Sequence, residues 1–371
     1  MLSFIITILI SLIFSFNFSS VDSFQAVKFK IKKPENQTIQ IIKNPKIDSK
    51  KPIFPNIELI PVATRIENIV VTEIQKPAKQ NFLIKTTNAK NILETKRQSK
   101  FYFNNKLYQI KIQPIKKNIA EYKTNASSIA VLDCNTNAWI YQKNIDEMRP
   151  IASITKLVTA LVFLDRQLDW QKIYTITKND KQEGGKIYLF PGDRVSLKSL
   201  FNLSLVRSAN SATMALVHST GMSEEEFIKR MNDKAKELKL TKTSFADPIG
   251  FSPKNISTVR EIVKLAQSAF KKEEILKAIQ KKKYKFNTEN GKKIEVYNTN
   301  QLLQNNDNQE VEVVGGKTGY TNEAGGCFVG EFINENKTKI ISVILGGADQ
   351  NSRFVETQKL VDWVYSNYIW Y

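Results

Sequence analysis

The chain has 371 residues, 42% of them hydrophobic, which suffices for two domains or for one large domain with an extension. Its two cysteines and single histidine provide no metal-ligand spacing, so we expect neither a metal nor a cofactor. The formal net charge is +19, and residues 27–123 hold 21 of the 55 basic but only 7 of the 36 acidic residues. No recognition motif or aromatic platform accompanies these lysines, so we expect no nucleic-acid partner.

The first segment, residues 1–26, contains an uncharged apolar stretch at residues 2–18. Such a stretch predicts an export signal or a short membrane anchor. It has no basic residues before it and no clear cleavage site, so cleavage and retention both remain open. The lysines that follow would favour a cytoplasmic C-terminal side under the positive-inside rule, which opposes export.

The second segment, residues 27–123, is rich in lysine, asparagine and isoleucine, and seven prolines interrupt any long helix. Apolar alternation over residues 101–112 predicts a hairpin, and residues 66–74 predict another strand. We interpret the segment as a basic spacer with some strand content. Its charge suits an anionic partner, such as a membrane surface or a cell-wall polymer.

The third segment, residues 124–371, alternates strands and helices. Strands are predicted at 127–133 and 138–142 and again at 312–314, 327–332 and 339–345, whereas helices are predicted from 153, over 196–206, 224–238 and 258–270, and finally over 352–365. Strands at both ends around a helical block indicate an α/β (α+β) domain in which early and late strands share one antiparallel sheet.

Ser153 and Lys156 begin the first of these helices, with Pro150 at its start. Residues three apart share a helix face, so the hydroxyl and the amine are expected to meet. A serine becomes a good nucleophile when a base takes its proton, and a lysine serves as that base only with a lowered pKa. Helix capping is the ordinary alternative for Ser153, and Ser268 with Lys271 repeats the same spacing without such context.

Two more motifs follow in order, Ser208-Ala209-Asn210 and Lys317-Thr318-Gly319. Ser208 offers a hydroxyl to relay a proton, and Asn210 offers an amide to orient Lys156 or the substrate. Burial, or the nearby charge of Lys317, would lower the pKa of Lys156. Lys317 and Thr318 suit an anionic group. Taken singly, the second motif is also compatible with a loop turn, and the glycines before Lys317 with a β-bulge.

Together these motifs resemble those of the low-molecular-mass penicillin-binding proteins, the serine D-alanyl-D-alanine carboxypeptidases and endopeptidases. The similarity extends over residues 149–157, 245–252, 298–300 and 316–327. It implies a β-lactamase/transpeptidase-like domain, with an antiparallel sheet, flanking helices and a helical subdomain. It also implies an extracytoplasmic protein, exported or anchored to the membrane, because peptidoglycan lies outside the cell.

The resemblance assigns roles to the motif residues. Ser153 would attack the carbonyl between two D-alanine-type residues of a peptidoglycan stem peptide, with Lys156 as base and Ser208 passing the proton to the leaving amine. Asn210 would bind the peptide amide. Lys317, Thr318 and Gly319 would line the substrate site, the first two holding its carboxylate. The N–H groups of Ser153 and Tyr320 would form the oxyanion hole. Water would release the acyl-enzyme, and β-lactams would acylate Ser153.

Several alternatives remain beside a penicillin-sensitive carboxypeptidase. An endopeptidase that cuts cross-links fits equally, since the chain ends soon after its last predicted helix, before any β-rich C-terminal domain. A class A β-lactamase is less expected, because Ala209 replaces the usual aspartate and no Glu-x-x-Leu-Asn stretch is present. A non-catalytic β-lactam or cell-wall binding protein and a basic polymer-binding protein are the other classes. His218 is expected to be structural, and Cys134 and Cys327 are expected to be free thiols.

Overall fold

A computed structural model describes residues 30–32, 40–42, 69–74, 98–103, 106–117, 121–182, 184–304 and 310–370. The chain divides near Ile115 into two compact units, the second of which is Lys116–Ile369. The apolar stretch of residues 2–18 lies outside the described residues. Within the described ranges, no helix has the length and apolar character needed to cross a bilayer.

The first unit contributes two small antiparallel sheets. One pairs β1 (Lys30–Lys32) with β2 (Gln40–Ile42). The other has the order β3-β5-β4 and contains β3 (Ile69–Ile74), β4 (Gln98–Phe103) and β5 (Lys106–Ile112). The predicted strand near residues 66–74 and the predicted hairpin over 101–112 are therefore present, with slightly different ends.

The second unit is organised around a five-stranded antiparallel sheet of order β15-β16-β17-β7-β8. Its strands are β7 (Ser128–Asp133), β8 (Trp139–Lys143), β15 (Val311–Thr321), β16 (Gly325–Asn334) and β17 (Lys339–Gly347). The late strand β17 pairs with the early strand β7, as in Ile344 opposite Ile129. This pairing confirms the predicted class, in which both ends of the domain share one sheet.

Seven α-helices are found in the described part of this unit. They are α1 (Lys156–Asp165), α2 (Leu197–Val206), α3 (Asn210–Ser219), α4 (Glu224–Glu237), α5 (Val259–Ala269), α6 (Glu273–Ile279) and α7 (Ser352–Asn367). Side-chain caps explain several helix starts, because Ser196, Ser223 and Thr258 each accept a backbone N–H three residues ahead. The predicted helix boundaries agree with these to within a few residues.

Helix α1 lies at the centre of the hydrophobic core. Every residue from Lys156 to Phe163 is buried, so the helix is enclosed on all sides. Helix α4 is different, because only Phe227, Met231 and Ala235 are buried and its charged side faces solvent. The enclosure of α1 matters for the chemistry below, since its first residue is a lysine.

Among the described residues, pairs of short strands that the sequence pattern did not predict flank this core. The longest pair joins β13 (Lys283–Asn287) to β14 (Lys293–Tyr297) as an antiparallel hairpin, in which exposed side chains alternate with less exposed ones. Two other pairs are β9 (Arg149–Pro150) with β12 (Ile256–Ser257) and β10 (Ile173–Thr175) with β11 (Arg194–Ser196). Two further short strands are β6 (Ile115–Lys116) and β18 (Tyr368–Ile369).

The chain enters α1 differently from the prediction. Pro150 does not start the helix: it belongs to β9 and lies opposite Ile256. A 3-10 helix, Ala152–Thr155, comes between the strand and α1. Since a 3-10 helix has three residues per turn, side chains at positions i and i+3 lie one above the other. This geometry places Ser153 directly against Lys156.

A tight turn at residues 247–252 packs against this 3-10 helix. The carboxylate of Asp247 accepts backbone N–H groups from Ile249, Gly250, Phe251 and Ser252, which fixes the turn. Gly250 has φ +80, and a Cβ atom on it would overlap the carbonyl oxygen of Ala152. Only glycine satisfies both requirements.

We predict that Gly250→Ala lowers the free energy of unfolding by about 2–4 kcal/mol, because a left-handed alanine and an overpacked contact both cost energy. Denaturant unfolding of the full chain measures this change. The matched control is Gly291→Ala, since Gly291 has φ +84 with no atom within 4 Å of an added Cβ. It should cost only about 1 kcal/mol. Equal losses in the two variants would contradict the packing argument.

Candidate active site

The amine of Lys156 is the centre of the candidate site. Its side chain is 0% exposed, yet its Nζ atom has three oxygen neighbours within hydrogen-bond distance. These are Ser153 Oγ at 2.9 Å, Asn210 Oδ1 at 2.8 Å and the carbonyl oxygen of Ile249 at 2.6 Å. Helix capping does not explain Ser153, because the N-cap of the 3-10 helix is Ile151 and that of α1 is Thr155, whereas the Ser153 side chain contacts this amine.

Lys156 Nζ donates to all three of these oxygens, and none of them carries a negative charge that would stabilise an ammonium. The Ser153 hydroxyl donates in turn to the carbonyl oxygen of Ile249, at 3.4 Å. A neutral amine keeps a lone pair, and the Ser153 hydroxyl is near enough to donate to it. Burial lowers the pKa of Lys156 to about 7, and the charge of Asp247 partly opposes this shift. A substantial fraction of the amine is therefore neutral near pH 7.

The second motif lies in the turn between α2 and α3. Ser208 has φ +60, an uncommon conformation for a residue other than glycine, and Asn210 is the first residue of α3. The amide of Asn210 bridges two segments, because its Oδ1 accepts from Lys156 while its Nδ2 donates to Gly184 O at 2.9 Å. Asn210 thus contacts Lys156 directly, which is one of the two arrangements that the sequence left open.

The third motif lies on strand β15, beside the 3-10 helix. Lys317 is 1% exposed, and its Nζ donates to Ser208 Oγ at 2.8 Å and to the Thr318 carbonyl at 2.9 Å. The described hydrogen bond of Ser208 is thus with Lys317 rather than with Lys156. The sequence left open two causes for the lowered pKa of Lys156, namely burial and the charge of Lys317. Burial is the main cause, whereas charge repulsion acts on Lys317, whose pKa is lowered by burial, Lys156 and Arg353.

Glycine at position 319 lets the strand approach the nucleophile. A Cβ atom on Gly319 would lie 3.0 Å from the backbone nitrogen of Ser153 and 2.8 Å from the carbonyl oxygen of Ile151. The next residue, Tyr320, is 37% exposed. The backbone of Ser153 and the end of the third motif therefore lie side by side. The register of β15 against β16 shifts between Val313 and Gly315, which is the β-bulge considered as an alternative for these glycines. The bulge lies just before Lys317 and is compatible with the site.

Arg353 is a site residue that the sequence analysis missed. It lies in the first turn of α7, is 8% exposed, and donates from Nη1 to the Gly319 carbonyl at 2.6 Å. Burial lowers its pKa to about 10, so it still carries its charge at neutral pH. No local pattern marks it, because its 34-residue separation from Gly319 is closed only by the fold. The carbonyl of Ile249 was missed for the same reason.

The remaining polar candidates lie elsewhere. His218 is on α3, where its Nδ1 is 2.6 Å from the buried Asp180, in agreement with a structural role. Cys134 and Cys327 are both free, as expected. In the described ranges, no group of histidine, cysteine, aspartate and glutamate residues is arranged to hold a metal ion.

The site thus combines two chemical capabilities. Ser153 faces an amine that is ready to take its proton, which creates a nucleophile. Beside it, the buried basic side chains of Lys317 and Arg353 form a region suited to an anionic group, whose negative charge would favour their protonated forms. Such an arrangement supports nucleophilic attack by Ser153 on a substrate that carries a carboxylate close to the reacting group.

Comparison with known proteins identifies relatives of this site. A family model described as Peptidase S11, D-alanyl-D-alanine carboxypeptidase, matches residues 115–349. D-alanyl-D-alanine carboxypeptidase DacF of Bacillus subtilis is 31% identical over 68% of this chain, and the chain spans 65% of that protein. A D-alanyl-D-alanine endopeptidase of Escherichia coli is 32% identical over 64% of this chain and 77% of its own length.

Solved structures agree with these matches. The Streptomyces K15 DD-transpeptidase is 25% identical with a TM-score of 0.62, over 67% of this chain and all of its own. Penicillin-binding protein D2 from Listeria monocytogenes, in its cefotaxime-bound form, is 27% identical with a TM-score of 0.57 over the same shares. Because the family model covers well over half of the chain, this protein belongs to the S11 family of serine D-alanyl-D-alanine peptidases.

Proposed function

We propose that the chain is a penicillin-sensitive serine D-alanyl-D-alanine carboxypeptidase that acts on peptidoglycan stem peptides. The observation that carries the proposal is the 2.9 Å contact between Ser153 Oγ and the buried amine of Lys156, whose pKa is lowered to about 7. The family and its β-lactam-bound structural relatives agree with this chemistry.

The proposed reaction begins when Lys156 takes the Ser153 proton and Oγ attacks the carbonyl of the scissile peptide. The N–H groups of Ser153 and Tyr320 receive the developing oxyanion. Ser208 passes its proton to the leaving amine and receives in turn the proton that Lys156 took from Ser153, while its contact with Lys317 keeps that hydroxyl in place. The C–N bond then breaks, and water hydrolyses the acyl-enzyme to free Ser153.

The substrate carboxylate is proposed to bind beside Lys317 and Thr318, with Gly319 allowing its close approach. Arg353 adds a second buried basic side chain to this region, beside Lys317. Asn210 is proposed to hold the peptide amide, which would require its Gly184 contact to rearrange. β-Lactams, which carry both a reactive carbonyl and a carboxylate, would enter in the same orientation.

A D,D-endopeptidase is the second candidate. It is favoured by identity, because the D-alanyl-D-alanine endopeptidases of Escherichia coli, Pseudomonas aeruginosa and Haemophilus influenzae are 32%, 30% and 34% identical to the chain over the matched residues. Both activities use the same acylation step. They differ in whether the leaving group is a free D-alanine or a cross-linked side chain.

We further propose that the protein works outside the cytoplasm, exported or held at the membrane by residues 2–18. The support is the uncharged apolar composition of that stretch, together with the location of peptidoglycan. The basic residues of the 27–123 segment would suit an anionic envelope surface.

Incubation of the full chain with benzylpenicillin should add one penicillin mass per protein, and Ser153→Ala should abolish the adduct, because the nucleophilic oxygen is gone. Intact mass spectrometry measures both. Ser268→Ala is the matched control, since Ser268, near the end of α5, precedes Lys271 with the same spacing, and this variant should acylate normally. A wild-type protein that folds but forms no adduct would favour a non-catalytic binding protein that has lost acylation.

The acylation rate should depend on the protonation of Lys156. Below about pH 7 the second-order rate constant for benzylpenicillin should rise about tenfold per pH unit, and above it should level off, because only the neutral amine accepts the proton. Stopped-flow acylation from acid to alkaline pH measures this profile. Lys156→Arg should lose at least about a hundredfold in rate, since a guanidinium stays protonated. A flat profile in the wild type would contradict the role of Lys156.

Assays with defined muropeptides distinguish the carboxypeptidase from the endopeptidase. We expect the enzyme to release free D-alanine from a monomeric pentapeptide, as measured by chromatography, with Ser153→Ala as the inactive control. Conversion of cross-linked dimers to monomers, without release of D-alanine from pentapeptides, would instead identify the endopeptidase. Both reactions must disappear together in Ser153→Ala if they share one site.

A further inference from the structure

We propose that Thr299 is a positioning residue for anion recognition: its hydroxyl orients the hydroxyl of Thr318 toward the substrate carboxylate. The inference rests on the proposed function, in which Lys317 and Thr318 bind that carboxylate. Thr299 belongs to none of the three motifs. It lies in the segment that follows the β13–β14 hairpin.

The contact that carries the inference is short. Thr299 Oγ1 and Thr318 Oγ1 are 2.6 Å apart, which is a close hydroxyl pair. Thr318 is 3% exposed, so solvent does little to orient its proton. A carboxylate oxygen accepts hydrogen bonds and donates none, so Thr318 must donate to it. Its oxygen is then free to accept from Thr299.

The backbone holds Thr299 in place for this contact. Its N–H donates to the carbonyl oxygen of Val206, the last residue of α2, at 3.0 Å. Asn298 and Asn300 on either side are 6% and 0% exposed. The Asn298 amide donates to Ile279 O and Lys281 O, and its Oδ1 accepts the Asn300 N–H at 2.8 Å. The threonine between them is therefore held rigidly.

Thr299 consequently links the second and third motifs. Its backbone is attached to the end of α2, two residues before Ser208, and its hydroxyl is attached to β15. The Lys317–Ser208 hydrogen bond of 2.8 Å makes a parallel connection between the same two elements. Lys317 and Thr318, the two proposed donors to the carboxylate, are thus each hydrogen-bonded to a residue outside β15: Lys317 to Ser208, and Thr318 to Thr299.

The test compares Thr299→Val, which keeps the shape but removes the hydroxyl, with Thr299→Ser, which keeps the hydroxyl. Benzylpenicillin carries the carboxylate, and its methyl ester lacks the charge. For benzylpenicillin, Thr299→Val should lower the second-order acylation rate constant about five- to tenfold, the effect of one lost buried hydrogen bond. For the ester the change should be less than about twofold. Thr299→Ser should stay within about threefold of the wild type for both compounds.

A double-mutant cycle distinguishes orientation of Thr318 from a general structural role of Thr299, because only the first makes the two substitutions non-additive. In a Thr318→Val background, Thr299→Val should cause no further loss with benzylpenicillin, since the hydroxyl it orients is already absent. Thermal unfolding checks that the variants fold. Thr299→Ala is a second variant without the hydroxyl, to be used if valine does not fit.

The outcomes separate this inference from the function on which it rests. Equal losses on benzylpenicillin and its ester, additive losses in the cycle, or no loss at all would each overturn the role of Thr299 while leaving acylation established. A wild-type chain that neither compound acylates would instead overturn the proposed function, and the inference with it.

Discussion

The structure depends on enclosing the amine of Lys156 in a hydrophobic core. Transfer of a charged ammonium from water into such surroundings is costly, so the protein stabilises the neutral form instead. Two carbonyl-type oxygens, from Asn210 and Ile249, occupy its N–H bonds without offering a negative charge that would restore protonation. The charge of Asp247 raises the pKa of Lys156 and so opposes the effect of burial. Its carboxylate, however, accepts hydrogen bonds from backbone N–H groups of its own turn. The packing around Lys156, which lowers its pKa, is therefore as important for the proposed chemistry as Ser153 itself.

The same enclosure explains the distribution of charge around the site. Lys317 and Arg353 are buried near Lys156, and their hydrogen-bond acceptors are a hydroxyl and backbone carbonyls. Cations held by neutral acceptors keep most of their attraction for an anion. A carboxylate-bearing ligand would therefore complete the electrostatics of the site. One cleft thus combines a base held neutral by burial with two basic side chains suited to bind an anion.

The sequence predicted what is local and missed what the fold brings together. Periodicity located α2, α5 and the long strands, and three short motifs located Ser153, Asn210 and Lys317. It misplaced Pro150, because a proline suits both a helix start and a short edge strand. It missed the β13–β14 hairpin despite its alternating pattern. Arg353 lies in no motif, whereas Ile249 and Thr299 lie in segments that resemble the family but point to no role by themselves. Each of the three acquires its role from contacts with distant residues.

The strand order has a consequence for when the nucleophile is activated. Strand β7 comes early in the domain, yet one of its two neighbours in the sheet is β17, which lies more than 200 residues later in the chain. Such distant pairing gives a high contact order and slow folding. Until the last strands arrive, Lys156 is exposed to water and has the basicity of an ordinary lysine. Ser153 is then a plain alcohol. The unfolded chain is therefore expected to remain chemically inert, so that reactivity appears together with the finished sheet.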